Sequence, residues 1–393
     1  MTESTAATGS ANAAGYARRM LAIVSLGWAT LQTGRFLLSP LLPTIITDLG
    51  ITEATAGIAL AVFQGTYAVV QYPSGEYSDR WNRTTLIVPG LVILAVGFGL
   101  FGITTGLATF LVAATVVGFG KGLFSIPSRA LLSDLFTDDR GRALGIYAAG
   151  TDAGGLVSSG LAVVALTYFT WRTPFFPIAI GLAVLTVVYA VTTREGYHVG
   201  AATLDLRGTV GRLVKSNRQR ETLVAFALFY FMVGGFINFV PTYLARSKGF
   251  SESLAGLTFA IVFAVGLAVK PAAGILGDRV SRRGIAVGGL SVAAAAMTAL
   301  ILVGSNLAIW VAIGLFALGY KTGFPLADAI ILDGAPADGT GADLGAARAL
   351  FLGANAIGPA YVGIVATYAS YDLAFGGFVA CLVVAAVLLA RQK

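Results

Sequence analysis

Four ionisable side chains lie near the middle of long apolar stretches, where a charge needs a partner or water. They are Arg35, Lys121, Asp152 and Lys321. At 1.5 Å of helix rise per residue, each lies roughly 16–22 Å from the start of its stretch. An ionisable group at such depth in a bilayer is costly, and in general it marks a binding or ion-transfer site. These four residues are the first candidates for chemistry in this chain.

Three of the four charges are positive, which predicts a cavity that holds an anion. Gln32 shares a helical face with Arg35, because it lies three residues before it. The planar guanidinium of an arginine suits a carboxylate, since it donates two parallel hydrogen bonds. Asn238 is a polar residue in a stretch rich in Phe and Val. The predicted substrate-binding residues are Arg35, Gln32, Lys121, Lys321 and Asn238, and their common place on one cavity is what the family resemblance given below implies.

Structural roles for the same charges are alternatives at this point. Arg35 has the alternative of a fixed ion pair with Asp152. Lys121 and Lys321 have the alternatives of snorkelling or of pairing with Asp152 and Asp328. Asp152 is the one acid that we assign to the middle of the membrane. It is interpreted as a proton carrier that releases a basic partner when protonated, with a fixed counter-ion as the alternative.

Other kinds of chemistry have no support in the sequence. There is no phosphate-binding Gly-rich loop, which argues against direct drive by ATP. The one histidine, His198, lies in a polar stretch, so a histidine metal site or a histidine-based catalytic triad is not expected. With the single Cys381, no disulfide within the chain is possible. We predict no enzymatic activity, no catalytic residues, no metal and no cofactor.

The composition predicts an all-α membrane protein. The chain is 56% hydrophobic and 11% charged, whereas a soluble domain has about 25% charged residues. A membrane-spanning helix needs about 20 mostly apolar residues. Twelve segments meet this requirement: 20–47, 54–77, 84–105, 107–133, 141–168, 172–192, 221–246, 252–277, 284–304, 306–331, 343–368 and 371–390.

The basic residues predict the orientation of these segments. Most of the 26 Lys and Arg fall at the termini and in the even-numbered connections, while the opposite face has Arg172, Arg246 and Lys248. The positive-inside rule then places both termini in the cytoplasm. Residues 1–19 are predicted to be a disordered tail. The basic stretch 193–220 is predicted to be a cytoplasmic linker rather than a nucleic-acid site. The absence of a recognisable targeting segment suits a prokaryotic plasma membrane.

The two halves of the chain repeat a pattern about 200 residues apart. GEYSDRWNR at 75–83 and GILGDRVSR at 274–282 share the pattern G-x-x-x-D-R-x-x-R. Lys121-x-x-Phe124 matches Lys321-x-x-Phe324, and GTDAGG at 150–155 resembles GANAIG at 353–358. Two homologous six-helix bundles, at 20–192 and 221–393, are therefore predicted. Repeats of this kind are typical of transporters, whose substrate site lies at the repeat interface.

The repeated loop resembles the cytoplasmic signature of the major facilitator superfamily (MFS), Gly-x-x-x-Asp-Arg-x-Gly-Arg-[Arg/Lys]. SDLFTDDRGRALG at 133–145 and PTYL at 241–244 also resemble segments of that family. The resemblance covers the chain from about residue 20. It implies two pseudo-symmetric six-helix bundles, a central cavity lined by spans 1, 4, 7 and 10, alternating access and a monomer.

The resemblance also implies a cytoplasmic gate that holds the outward-open state. Confinement of the loop to the cytoplasm by its charges is the alternative role. Arg129 and Asp328, nearer the ends of their spans, are interpreted as gate or structural groups. The residues assigned to the gate are Gly75, Asp79, Arg80, Arg83, Asp134, Gly274, Asp278, Arg279 and Arg282.

The function predicted from the sequence is secondary active transport of a small organic anion, in particular a carboxylate, in symport with protons. TGRFLLSPLLP at 33–43 resembles a segment of the organic anion symporters of the superfamily. One alternative is a proton-coupled exporter of drugs or metabolites. It is disfavoured because the antiporter pattern Gly-x-x-x-Gly-Pro lacks its proline after Gly154. The other alternative is a solute sensor that does not transport. Membrane lipid is the remaining expected partner.

Overall fold

Twelve long helices account for almost all of the described chain. The computed structural model describes residues 2–199, 217–333 and 340–392, and it has no β-strand within them. All twelve helices are long and apolar enough to cross a membrane, which confirms the predicted fold class. In chain order they are α1 Thr2–Leu49, α2 Glu53–Arg80, α3 Thr84–Gly102, α4 Leu107–Leu135, α5 Arg140–Tyr168, α6 Phe175–Thr192, α7 Asn217–Ser247, α8 Glu252–Arg279, α9 Arg282–Leu302, α10 Asn306–Asp333, α11 Thr340–Tyr368 and α12 Tyr371–Ala390.

The first helix begins earlier than the apolar pattern predicts. Helix α1 starts at Thr2, whereas residues 1–19 were predicted to be a disordered tail. The early residues are rich in alanine, the best helix former, so helical backbone can continue outside the apolar span. The predicted linker is irregular at 193–199, and its residues 200–216 lie outside the described residues.

Equivalent turns start the second helix of each half. Gly50 and Gly249 have positive φ angles of 61° and 72°, a backbone conformation that glycine adopts at no steric cost. Thr52 and Ser251 then cap α2 and α8, since each hydroxyl accepts a hydrogen bond from a backbone N–H three residues on. The predicted repeat therefore extends to turn and cap residues.

Each half packs as a six-helix bundle. In the first half α1 packs on α5 and α6, α2 on α4, and α3 on α4 and α6. In the second half α7 packs on α11 and α12, α8 on α10, and α9 on α10 and α12. The pairs α2–α11, α5–α8 and α1–α7 join the two halves.

The molecule has two ends that differ in charge. We call the end with the α2–α3, α4–α5 and α8–α9 connections the basic end, because Arg80, Arg83, Arg279 and Arg282 lie there. The other end, with the α1–α2, α7–α8 and α11–α12 connections, is called the opposite end.

The two halves are in close contact at the opposite end. Thr44 of α1 donates to the carboxylate of Glu252 at 2.5 Å, and Arg246 donates to the hydroxyl of Thr47 at 3.0 Å. The backbones of α2 and α11 also approach closely, since a Cβ atom at Gly57 would lie 2.4 Å from the carbonyl oxygen of Pro359. These contacts join the halves at the end away from the basic connections.

Candidate functional site

A cavity of about 440 Å³ lies between the two halves. Its walls come from α1, α2, α4 and α5 in the first half and from α7, α8, α10 and α11 in the second half. The volume lies within the range of about 300–1,000 Å³ that is typical of small-molecule sites. The cavity therefore has the size and the position of a substrate site shared by two repeats.

The lining of this cavity is strongly basic. Among the described residues that form it, six are basic and none is acidic. Arg35, Lys121 and Lys321 were predicted for this region, and the structure brings all three to the same cavity. The complete set of basic lining residues is Arg35, Lys121, Arg129, Lys270, Lys321 and Arg348.

Asp152 joins the two halves next to this cavity. Its carboxylate is buried, with 1% of the residue exposed. One oxygen, Oδ1, accepts a hydrogen bond from Lys321 Nζ at 2.7 Å, and the other, Oδ2, accepts from Lys270 Nζ. Asp152 lies on α5 and its partners lie on α10 and α8. One carboxylate is thus shared by two lysines of the other half.

A glycine on α8 provides the space for this charged group. A Cβ atom at Gly266 would lie 2.6 Å from Asp152 Oδ1 and 2.9 Å from Lys321 Nζ. Real Cβ atoms do not approach so closely, so any other residue at this position would displace the pair. Gly266 lies one helical turn before Lys270, and this stretch of α8 therefore both supplies a lysine and leaves room for the other.

Arg35 and Lys121 contact aromatic rings instead of carboxylates. The guanidinium of Arg35 lies 4.7 Å from the ring centre of Phe36. Lys121 is 3% exposed, and its ammonium lies 4.0 Å from the ring centre of Tyr67 and 5.5 Å from that of Phe63. Within the described chain, neither Arg35 nor Lys121 has an acidic partner at ion-pair distance. The predicted alternative of an Arg35–Asp152 pair is therefore not what the structure has.

Arg129 lines the cavity, although its position suggested a gate residue. Its guanidinium lies 5.5 Å from the ring centre of Trp28 and 5.7 Å from that of Tyr147. The two rings stack at 5.1 Å, and Trp28 donates a hydrogen bond to Thr151 at 2.9 Å. This cluster fixes α1, α4 and α5 to one another and directs a further cation to the site.

Amide side chains supply the other polar part of the lining. Gln32 lines the cavity as predicted and is buried. Gln64 of α2 donates to Asn355 Oδ1 of α11 at 2.7 Å, and Asn355 donates to the carbonyl oxygen of Tyr230 at 3.0 Å. These two amides connect the halves on the side of the cavity formed by α2 and α11.

Asn238 does not lie on the wall of the cavity. Its amide nitrogen donates to the carbonyl oxygen of Gly234 in the preceding turn of α7, at 2.7 Å. Tyr230, Val233 and Ile237 are the residues of α7 that face the cavity. The substrate role predicted for Asn238 has no support from this geometry, because residue 238 lies on a different face of the helix.

The predicted gate region has a local ion pair at the basic end. Arg83 Nε donates to Asp134 Oδ2 at 3.1 Å, and Arg83 Nη1 donates to the hydroxyl of Ser78 at 2.7 Å. Arg80 pairs with Glu76 at 3.0 Å, one turn earlier in α2. These bonds tie the α2–α3 connection to α4. The gating role of Arg80, Arg83 and Asp134 stays a prediction.

The rest of the predicted gate is described only in part. Gly75 lies in α2, where a Cβ atom would be 3.7 Å from Ile126 of α4. Arg279 is exposed in the last turn of α8, and Arg282 begins α9. The side chains at the predicted positions Asp79, Gly274 and Asp278 lie outside the described residues.

Lys270 and Arg348 are the basic lining residues that the sequence analysis missed. Each lies toward one end of a predicted apolar segment, 252–277 for Lys270 and 343–368 for Arg348. Helix α8 continues to Arg279, which leaves Lys270 about 14 Å before the end of the helix at 1.5 Å per residue. The sign in the sequence was Asp152, because an acid in the middle of the membrane needs basic partners.

Two six-helix halves around a central basic cavity define a membrane protein of the transporter class. The sequence profile of the Major Facilitator Superfamily matches residues 24–348 and, in a second alignment, residues 222–392. The chain belongs to the Major Facilitator Superfamily, which is a family of transporters and not of enzymes.

Curated relatives of the chain have names with different kinds of substrate. A hexuronate transporter of Bacillus subtilis is 23% identical over 259 residues, which cover 63% of this chain and 61% of that protein. A multidrug resistance protein 1 of Bacillus subtilis is 28% identical over 160 residues, 40% of this chain and 41% of that protein. A probable hexose phosphate transport protein of Chlamydia trachomatis is 28% identical over 136 residues, 34% of this chain and 30% of that protein. Each match spans less than two thirds of the relative's length.

A solved structure with the same fold covers the whole molecule. A bacterial homologue of the human lysosomal transporter Spinster, in an inward-facing and occupied conformation, superposes with a TM-score of 0.82 at 16% identity. The superposition covers 95% of this chain and 96% of that chain. At this level of identity the likeness concerns the fold alone.

Proposed function

We propose that this protein is a secondary active transporter that moves a small organic anion, a carboxylate in particular, by proton-coupled symport. The observation that carries the proposal is the lining of the cavity, in which six described residues are basic and none is acidic. Such a surface attracts anions and disfavours cations. The names of the hexuronate and hexose phosphate relatives agree with an anionic substrate.

The first half of the cavity holds the anion directly. Arg35 offers a planar fork of donors, which binds a carboxylate by two parallel hydrogen bonds. Lys121 adds a buried ammonium, and Gln32 lies one turn from Arg35 on the same helix. The aromatic rings around these groups keep water away, which strengthens their attraction for a negative charge.

Asp152 couples anion binding to a proton. When its carboxylate is ionised, it holds Lys270 and Lys321. When it takes up a proton, its negative charge disappears and the two ammonium groups become available to the substrate. A proton and an anion therefore bind together, which is the requirement for symport. Lys270 is the more accessible of the two lysines, since 28% of its side chain is exposed and only 3% of that of Lys321.

The conformation supports alternating access. The halves are joined at the opposite end by the contacts of Thr44, Arg246 and Gly57. Arg129 and Arg348 extend the lining of the cavity toward the basic end. The positive-inside rule assigns the basic end to the cytoplasm. In our proposal this is an inward-facing state of a plasma-membrane protein with both termini in the cytoplasm, and rocking of the halves opens the other side.

A proton-coupled exporter is the second candidate. The aromatic part of the lining, which includes Trp28, Tyr230, Phe263 and Phe351, would suit a lipophilic substrate. The name of the multidrug resistance relative agrees with this alternative. The basic lining argues against a cationic drug, because each basic group would repel it. A sensor that binds an anion without transport is the remaining alternative, and flux measurements separate it from a transporter.

Thermal unfolding of the purified protein tests the class of ligand. Small acids, sugars, amines and lipophilic cations are compared, and a bound ligand raises the stability by about 2.7 kcal/mol at a hundredfold excess over its dissociation constant. We expect stabilisation by acids, lost in Arg35→Ala and kept in Arg19→Ala, which removes an exposed arginine of the N-terminal region. Stabilisation by lipophilic cations but not by acids would contradict the proposal.

A further inference from the structure

We infer that the substrate carries two negative charges, as a dicarboxylate or a phosphate monoester does, and that Arg35, Lys121 and Arg129 together hold both charges. The inference rests on the proposed function, because it names the charge of the anion that this cavity takes. It concerns the wall of the cavity formed by the first half, which we call the N-wall and define by these three residues.

The three cations of the N-wall have no acidic partner in the described chain. Lys121 contacts the faces of Tyr67 and Phe63, and Arg35 contacts Phe36. Arg129 lies between the rings of Trp28 and Tyr147 at 5.5 and 5.7 Å. Contacts with ring faces stabilise a cation, yet they supply no compensating charge.

The carboxylates of the first half that form ion pairs in the described chain form them away from the N-wall. Both oxygens of Asp152 accept from lysines of the second half. Asp134 pairs with Arg83 and Glu76 pairs with Arg80, all toward the basic end. Asp48 pairs with Arg172 at the opposite end, at 2.6 Å. Asp152 therefore neutralises lysines of the second half, and the N-wall keeps its full positive charge.

A bound anion would supply the missing charge. Buried charges in proteins are in general paired, because an uncompensated ion in a low-dielectric site is costly. A monocarboxylate can neutralise one of the three N-wall cations and leaves two. A second carboxylate, or the additional charge and oxygen atoms of a phosphate, offers acceptors to the remaining groups. The side chain of Lys121, 3% exposed, is the member that most needs this partner.

The N-wall and the wall formed by the second half have different roles. Lys270 and Lys321 already have a protein carboxylate, and they become available only when Asp152 is protonated. The N-wall is available at any protonation state of Asp152. The N-wall therefore selects the substrate by its charge, while the second half couples that binding to the proton.

Matched pairs of ligands test the inference on the full-length protein in detergent. Dissociation constants are measured by titration calorimetry at about pH 7.5, where a phosphate monoester is mostly doubly charged. Succinate is compared with its monoamide succinamate, and glucose 6-phosphate with glucuronate and with glucose. Each comparison keeps the size of the ligand similar and changes its charge. The two series also distinguish a dicarboxylate from a phosphate as the preferred dianion.

We expect at least one dianion to bind about tenfold more tightly than its singly charged counterpart, since a bond to a charged partner has about this effect. Lys121→Gln should remove the preference, and Arg129→Gln, at a half-buried position, should weaken it. Lys121→Arg should keep it, as should Arg391→Gln, which removes an exposed positive charge at the end of α12.

Equal or tighter binding of the singly charged ligands would overturn the inference and leave the proposed anion site intact. A preference for the dianion that persists unchanged in both Lys121→Gln and Arg129→Gln would also overturn it, because the N-wall would not be its source. A protein that binds no acid of either charge would overturn the proposed function itself.

Discussion

Asp152 has an environment that differs from that of its counterpart in the other half. The corresponding segment of the second half has Asn355 at the position that aligns with Asp152. Asn355 is held by Gln64 and by the backbone of Tyr230, whereas Asp152 is held by two lysines. An amide cannot change its charge and a carboxylate can, so the repeat has one polar contact that is fixed and one that a proton can release.

Asp152→Asn should make anion binding independent of pH. In the proposed mechanism the wild type binds a proton together with the anion, so its affinity for a carboxylate should rise by about tenfold from about pH 7.5 to about pH 5.5. The ligand for this measurement is a monocarboxylate, which keeps its charge at both pH values because carboxylic acids titrate near pH 4. The variant imitates the protonated state at both pH values, and its two dissociation constants should agree.

The control for this measurement is Asp139→Asn, which changes an exposed aspartate whose side chain makes no capping hydrogen bond. It should keep the pH dependence of the wild type. The ratio of affinities is determined within one variant, so a general loss of stability does not imitate the effect. A wild-type pH dependence that survives in Asp152→Asn would rule out the proton role of this residue.

Among the elements, the helices were predictable and the faces that they turn to the cavity were not. Twelve apolar segments with a 200-residue repeat define the bundles, because a bilayer requires spans of nearly fixed length. The face of a helix depends on packing, which the apolar pattern does not record when a helix is hydrophobic all round. For this reason Lys270 was missed, and Asn238 was predicted for the cavity although it lies on another face of α7. Lys121 and Lys321 were predicted correctly for the cavity because a charge in the middle of a span needs a polar surrounding.

Gly57→Ala should destabilise the conformation described here. The new Cβ atom would lie 2.4 Å from the carbonyl oxygen of Pro359, so α2 and α11 would have to separate at the opposite end. We expect a smaller population of the state in which that end is closed, and slower transport. Gly65→Ala in the same helix is the matched control, because nothing lies within 4 Å of its new methyl group.

Labelling of an introduced cysteine measures this shift. The native Cys381 is first replaced by serine, and a single cysteine is placed at Val233 on the cavity wall. In Gly57→Ala, a membrane-impermeant thiol reagent applied at the opposite end should label it faster than in Gly65→Ala. Equal labelling rates in the two variants would show that the close contact of α2 and α11 does not control access.

At the scale of the whole molecule, two similar bundles enclose one cavity that is not symmetric in charge. The repeat predicts the bundles and the paired lysines of α4 and α10, and the structure adds the equivalent turns at Gly50 and Gly249. It does not predict that one lysine has a carboxylate partner and the other has aromatic rings. That difference arises from contacts between the halves, and it decides which wall is free to receive an anion.

Flux of a charged solute into proteoliposomes tests the central claim most directly. The purified protein is reconstituted, and uptake of a labelled acid identified by thermal unfolding is compared with uptake of a labelled lipophilic cation, with and without an inward proton gradient. We predict uptake of the acid that the gradient accelerates, that is lost in Arg35→Ala and that protein-free liposomes do not show. Gradient-driven movement of the cation, with no uptake of the acid, would contradict the account and identify an exporter.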